Sequence, residues 1–303
     1  MMLKVVPAFS EKNIPIMFAA SDAYIPHLAI TIKSILITRD DIHNYDIIVF
    51  HHLIKKERQE KIIDLADGPN ISIRFFEMGE KLENYDFSVR EGYGAESFYR
   101  AIVSDVLQMY EKVIYLDCDL VVLENIAKLF EIKNPEGKCI AAVRDINGIS
   151  ATYINYESRK EYMYKYLKLN HIRDYIQSGV MVFFIQNIRN KYSVEQIIKE
   201  SCKREVMFGD QDVLNKLYVG DILFLDMKWN VIVNVDRVKF ENQYLLAPNE
   251  IVMQYMMSRK EPYIIHYAGT KPWKIPDGDF AELYWNIARK SFFYGEIMKE
   301  LIC

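Results

Sequence analysis

Val113-Ile114-Tyr115-Leu116-Asp117-Cys118-Asp119-Leu120-Val121-Val122 runs an apolar stretch straight into two carboxylates and then returns to apolar chain. A run of branched and aromatic residues of this length reads as a strand buried on both faces, as in parallel sheets. Side chains at i and i+2 of an extended chain share a direction, so Asp117 and Asp119 point together. At the carboxyl end of a central parallel strand that direction is the crevice where such sheets bind ligands. Two carboxylates so close stay ionised together only beside a cation or a positive cluster. The bland alternative is a pair of solvated turn aspartates, and the apolar residues on both sides weigh against it.

Outward from this strand, short β-rich runs alternate with amphipathic stretches. Ile14 to Ala20, Asp46 to Phe50, Ile71 to Glu77, Lys112 to Leu116, Cys139 to Val143 and Gly179 to Ile185 read as strands. Leu28, Ile32, Ile35 and Leu36 recur at helical spacing after Pro26, and further helices are expected over Lys55 to Ala66, Ser97 to Met109, Asn125 to Phe130, Glu157 to Leu167, Val194 to Cys202 and Gln211 to Leu217. This is an α/β chain with a mainly parallel central sheet flanked by helices and a less regular C-terminal part after Asp226. Met78 to Gly94 is polar and reads as a long loop of the kind that serves as a lid.

Composition narrows the function. The 303 residues carry 38 Lys and Arg against 42 Asp and Glu, a formal charge of −4, with 50% apolar and 26% charged residues. A pI near 5.9 gives no broad positive field for polynucleotide. Cys118, Cys139, Cys202 and Cys303 form no CxxC pair, so neither a zinc ribbon nor a disulfide framework is indicated. The start lacks the layout of a secretion signal, and no apolar run approaches the roughly 20 residues of a membrane span, so a cytoplasmic protein is expected. Gly92-Tyr93-Gly94 does not close a dinucleotide-binding turn, and GxxxxGK[ST], HExxH and GxSxG are absent.

What remains is acidic. Ile264 and Ile265 deliver His266 at a strand end, followed by Gly269, where backbone can approach a ligand, and by Lys271, a mobile charge suited to phosphate. Alone, such a histidine is more often structural. With two aspartates it completes a mixed oxygen and nitrogen set suited to Mn²⁺, which would bridge a diphosphate. In Gly209-Asp210-Gln211-Asp212, Asp210 reads either as a helix N-cap or as a site carboxylate. Gln177 and Ser178 precede an apolar strand and either line a sugar pocket or make a turn. Arg100 begins a helix, where ordinary solvation is the plain reading.

In this order the segments resemble family 8 glycosyltransferases, the retaining, metal-dependent group with a nucleotide-sugar-binding GT-A fold. The resemblance runs from Phe18-Ala19-Ala20-Ser21-Asp22-Ala23-Tyr24 through Arg100, the Asp117 and Asp119 pair, Asp145, Gln177-Ser178-Gly179, Asp210-Gln211-Asp212 and Lys228-Trp229-Asn230 to the His266–Trp273 segment. It implies that Asp117, Asp119 and His266 hold Mn²⁺, with Mg²⁺ as the alternative, and that Gly269 and Lys271 hold the diphosphate. Ala19, Ala20, Asp22, Tyr24 and Cys118 would border the nucleotide, and Arg100, Asp145, Gln177 and Asp210 the donor sugar. Gln211 falls beside the anomeric carbon, so Gln211, Asp210 and Asp145 are the expected catalytic group. Ser21, Ala23 and Gln177 depart from the residues frequent in the family.

The implied activity is transfer of glucose or galactose from a UDP-sugar to a glycan or lipopolysaccharide-type acceptor. Residues 1–270 would form one GT-A domain and 271–303 a helical extension. An amide is a poor nucleophile, so front-face attack is favoured over a covalent adduct on Gln211. The rivals are a haloacid-dehalogenase-like phosphatase or phosphotransferase using the same DxD, and a catalytically silent nucleotide-sugar-binding protein. The tail from Ser291-Phe292-Phe293-Tyr294 to Leu301 reads as a surface-packing helix, with peripheral contact at the inner face of the membrane as the other option.

Overall fold

The computed structural model describes residues 4–78, 95–154, 156–203, 206–233, 246–269 and 271–302. Among them the strands are β1 (Asn13–Ala20), β2 (Asn44–His51), β3 (Ile71–Glu77), β4 (Lys112–Leu116), β5 (Leu120–Val122), β6 (Ile140–Arg144), β7 (Ile176–Phe184), β8 (Ile222–Phe224), β9 (Val231–Ile232) and β10 (Ile264–His266). The main sheet has the order β3-β2-β1-β4-β7-β6-β8, and a small one the order β5-β10-β9. In the main sheet the pairs β1–β2, β2–β3, β1–β4 and β6–β8 are parallel, while β7 runs antiparallel to both β4 and β6. The expected mainly parallel sheet is therefore present, with one reversed strand inside it.

Strand alternation sends residues to both faces. Ile14, Ile16, Phe18 and Ala20 of β1 join the core beneath helix Ile25–Thr38, and Met17 joins the core on the opposite face with Phe98, Tyr99 and Val103. Pro26 opens the first of these helices, where its missing N–H costs nothing. The later helices Ala281–Ala288 and Tyr294–Ile302 add Tyr284, Trp285, Phe293 and Ile297 to the core under β1, leaving Phe292 and Ile302 exposed. No helix of the described residues is long and apolar enough to cross a membrane.

Several expected helices change form where packing overrides propensity. Ser97 to Met109 becomes a 3₁₀ segment, Ala95–Ile102, and one α-turn, Val103–Val106, with Phe98, Tyr99 and Arg100 buried. Glu157 to Leu167 becomes helix Tyr156–Glu161 and a π-turn, Tyr162–Tyr166, which brings the Tyr162 hydroxyl to Asp212 at 2.7 Å. β7 begins before Gly179, so Gln177 and Ser178 lie in strand and not in a turn, and Ile185 starts a helix. The expected lid over 78–94 falls, apart from Met78, outside the described residues.

One junction between the first helix and the C-terminal segments carries a pH dependence. His27 stacks on Trp273 with centroids 3.5 Å apart, its Nδ1 lies 2.8 Å from the Tyr284 hydroxyl, and its Nε2 lies 3.3 Å from Glu300. Burial, with Lys271 and Lys274 adding to it against Asp119, lowers its pKa to about 3. The unfolded chain takes a proton near the ordinary value of about 6.5, and the folded chain refuses it until far lower pH. Folding stability is thus unaffected above that value and falls as pH drops below it, by about 2 kcal/mol at pH 5. Urea unfolding at pH 7 and 5 should show this loss in the wild type and a smaller one in His27→Gln. Equal losses in the two proteins would contradict it.

Candidate active site

β4 and β1 run parallel, so their carboxyl ends open on the same side, and Asp117 and Asp119 emerge there. The chain then turns into β5, whose antiparallel register on β10 sets His266 opposite Leu120. The Tyr267 N–H donates to the Asp119 carbonyl at 3.1 Å, which locks the two segments. Oδ1 of Asp119 lies 3.3 Å and Oδ2 of Asp117 3.7 Å from Nε2 of His266. One donor atom from each of the three residues lies within 4.8 Å of the others, a spacing that one cation can span.

Positive groups balance the two carboxylates. Lys271 pairs with Asp119 Oδ2 and also donates to the Tyr267 carbonyl at 2.6 Å. Burial opposes ionisation of Asp119, yet the Lys271 ammonium beside it outweighs burial and holds its carboxyl well below the usual range. Asp117 Oδ1 accepts from Tyr115 at 2.7 Å and from Arg100 at 3.2 Å. Arg100 is buried, in contrast to the solvated reading. It spans the Ser178 carbonyl at 2.5 Å and Asp210, and lies 4.6 Å over the Tyr115 ring. Burial raises the Asp210 pKa to about 6, although the Arg100 guanidinium pulls the other way.

The register of β6 on β7 skips between Ala142 and Val143, from Met181 to Gln177. This bulge releases Ser178 and Gly179 from β6 and turns their backbone toward the site. The Gly179 carbonyl accepts from the Asp117 N–H at 2.8 Å. A Cβ on Gly179 would lie 2.3 Å from His266 Cε1 and 2.6 Å from Asp117 Oδ2, so only glycine leaves this space open.

Asp145, after β6, accepts from the Asn147 N–H and from Gln211 Nε2, both at 2.9 Å. Gln211 also donates to the Tyr175 hydroxyl at 3.0 Å, and its carbonyl accepts from the Ser178 N–H at 3.2 Å. Helix Gly209–Leu217 is not capped by Asp210: its N-cap is Phe208, and Gly209 takes a positive φ of 55°. Asp212 does the work near this end, with Oδ2 accepting from the N–H groups of Met207 and Phe208 at 2.9 and 2.7 Å and Oδ1 from Tyr175 at 2.7 Å.

Asp117, Asp119, His266, Lys271, Arg100, Asp145, Ser178, Asp210 and Gln211 line one cavity of about 500 Å³, together with Ala19, Tyr24, Cys118, Gln177 and Gly269. Ala20 and Asp22 are not among its lining residues. Asp22 turns instead to Arg58, 3.5 Å away, and accepts from the Lys55 N–H at 3.2 Å. Tyr115, Phe208 and Ile232 also line it and carried no sequence signal, since isolated apolar and aromatic residues resemble core.

Residues 15–275 match the family model described as glycosyl transferase family 8. General stress protein A of Bacillus subtilis (strain 168) is 24% identical over 266 residues, 85% of this chain and 86% of that one. The apo structure of the bifunctional glycosyltransferase WbbM superposes with a TM-score of 0.88 at 24% identity over 99% of this chain, which spans only 53% of WbbM. The galactosyltransferase LgtC, in complex with donor and acceptor sugar analogues, superposes with a TM-score of 0.73 at 18% identity, covering 93% of this chain and 100% of LgtC.

Proposed function

The chain belongs to glycosyl transferase family 8, and on that premise we propose that it moves glucose or galactose from a UDP-sugar to a glycan or lipopolysaccharide-type acceptor, with retention at the anomeric carbon and with one divalent cation. The observation that carries this reading is the meeting of Asp117, Asp119 and His266 within 4.8 Å of one another in the cavity that also holds Lys271 and Arg100. Two carboxylates and one imidazole suit Mn²⁺, with Mg²⁺ as the alternative. The gap that glycine keeps at position 179 gives a cation room beside them.

When bound, the cation supplies Lewis acidity to the diphosphate leaving group. Lys271 adds a mobile positive charge beside Asp119, and the backbone at Gly269 borders the same cavity. Asp145 and Asp210 place negative charge where the sugar carbon would gain oxocarbenium character. Gln211 has both amide hydrogens and its carbonyl engaged by Asp145, Tyr175 and Ser178. It acts as a brace for Asp145 and not as a nucleophile, which favours attack from the face of the departing phosphate. In this division residues 1–270 carry the site up to Gly269, and Lys271 opens the helical extension 271–303.

Gln211→Ala should lower kcat by roughly 10- to 100-fold through the lost bond to a charged group, with KM for the donor little changed. Intact-protein mass spectrometry of the wild type under turnover should show no glycosyl adduct, and an adduct on Gln211 would reverse this assignment. The activity itself is tested by incubating the protein with UDP-glucose, UDP-galactose and their N-acetylated analogues. UDP release from a hexose donor that stops with EDTA is expected. No release from any donor, or phosphate release from simple phosphomonoesters instead, would overturn the reading.

A further inference from the structure

His266 can serve a cation only if Nε2, the nitrogen that faces Asp117 and Asp119, carries a lone pair, and two buried amides decide whether it does. The Gly179 N–H, which can only donate, gives its hydrogen to Gln177 Oε1 at 2.6 Å. That fixes Oε1 as the atom facing Asn230, so Asn230 presents its NH₂ group to it, at 2.6 Å. The other end of the Asn230 amide is therefore the carbonyl, and it lies 3.0 Å from Nδ1 of His266. A carbonyl only accepts, so Nδ1 carries a proton, and of the two neutral tautomers His266 is held in the one that leaves Nε2 bare, 3.3 Å from Asp119 Oδ1. Asn230 and His266 are buried at 2% and 1% exposure, so no bulk water competes for these bonds.

We propose that Asn230, oriented by Gln177 and the Gly179 backbone, is a positioning residue that sets the tautomer of His266 and so prepares the cation site before any cation arrives. The proposal deepens the metal-dependent reading above and rests on it for its consequence, though not for the tautomer. Outer partners of this kind are worth 10- to 100-fold in metal affinity. The relay also ties His266 to Gln177, which borders the cavity, so that the metal side and the donor side share one amide chain.

The test begins with the metal-free wild type, labelled with ¹⁵N-histidine and assigned against His266→Gln. Long-range ¹H–¹⁵N correlations near neutral pH should show His266 protonated on Nδ1, the opposite of the form that dominates in free histidine. Free Mn²⁺ counted by EPR should then give a dissociation constant 10- to 100-fold higher for Asn230→Leu, with circular dichroism unchanged. Gln177→Met, which removes the acceptor that orients Asn230, should weaken Mn²⁺ binding in the same direction. Gln177→Glu keeps an oxygen toward both donors and should show no loss of affinity. An Nε2-protonated His266 in the wild type overturns the proposal whatever the variants do, as does an Asn230→Leu protein that binds Mn²⁺ as tightly as wild type. A wild type that is Nδ1-protonated but binds no Mn²⁺ upholds the tautomer and refutes the metal reading, so the two failures are distinguishable.

Discussion

Asp119→Asn should abolish sugar transfer, by at least about 10³-fold in kcat/KM, while leaving the fold intact. The side chain keeps its shape and loses only its charge. That charge is the one that burial opposes and that Lys271 nonetheless keeps ionised. In the proposed reading this carboxylate holds the cation, and losing a Lewis-acid contact at the leaving oxygen costs several kcal/mol of transition-state stabilisation, or about three decades of rate. Lys271 retains the Tyr267 carbonyl as a partner, so it is not left unpaired in the variant. The check is UDP release from the preferred donor at saturating Mn²⁺, alongside thermal unfolding. Activity within tenfold of wild type would remove Asp119 from the site.

The second large effect is expected from a single methyl group. Gly179→Ala would set a Cβ 2.3 Å from His266 Cε1, 2.6 Å from Asp117 Oδ2 and 2.9 Å from Gln177 Oε1. Two of these belong to proposed ligands and the third to the relay that orients His266, so none can yield without disturbing the cation site. Overpacking of this sort costs about 1–3 kcal/mol of stability, which a chain with cores on both faces of its sheet should survive. Mn²⁺ affinity should fall by more than about 100-fold, the size attached to loss of an outer partner or more. Titration calorimetry with Mn²⁺ on the folded variant checks this. Wild-type affinity in a folded Gly179→Ala protein would mean that the space beside Gly179 is not where the cation binds.

The sequence made the central strand and its two carboxylates readable because both signals are local: an apolar run and an i, i+2 spacing. The first strand, Ile14 to Ala20, was readable for the same reason, from its apolar run alone. The meeting of His266 with Asp119 depends on a three-residue antiparallel ladder between segments far apart in the chain, and no local pattern encodes that pairing. The chemistry of a mixed oxygen and nitrogen donor set, and then the family resemblance, supplied it. Arg100 was reached through the resemblance alone, because an arginine early in a helix is usually solvated, whereas here Asp210, Asp117 and the Ser178 carbonyl together offset its burial. The bulge that frees Ser178 and Gly179 has no signature beyond one glycine, and the capping by Asp212 was hidden behind Asp210, a better-placed candidate by spacing alone. Asp22 looked like a site residue by position, yet it faces Arg58.

The central claim is that one cation is held by Asp117, Asp119 and His266 while it touches the diphosphate. Pulsed EPR of the Mn²⁺–UDP complex tests this most directly, since nitrogen and phosphorus couplings to the same ion appear in one spectrum. The account predicts one Mn²⁺ per chain, with a single imidazole ¹⁴N coupling that disappears in His266→Gln and with ³¹P couplings from UDP. A spectrum with phosphorus but no nitrogen coupling, or a nitrogen coupling that persists in His266→Gln, would contradict it.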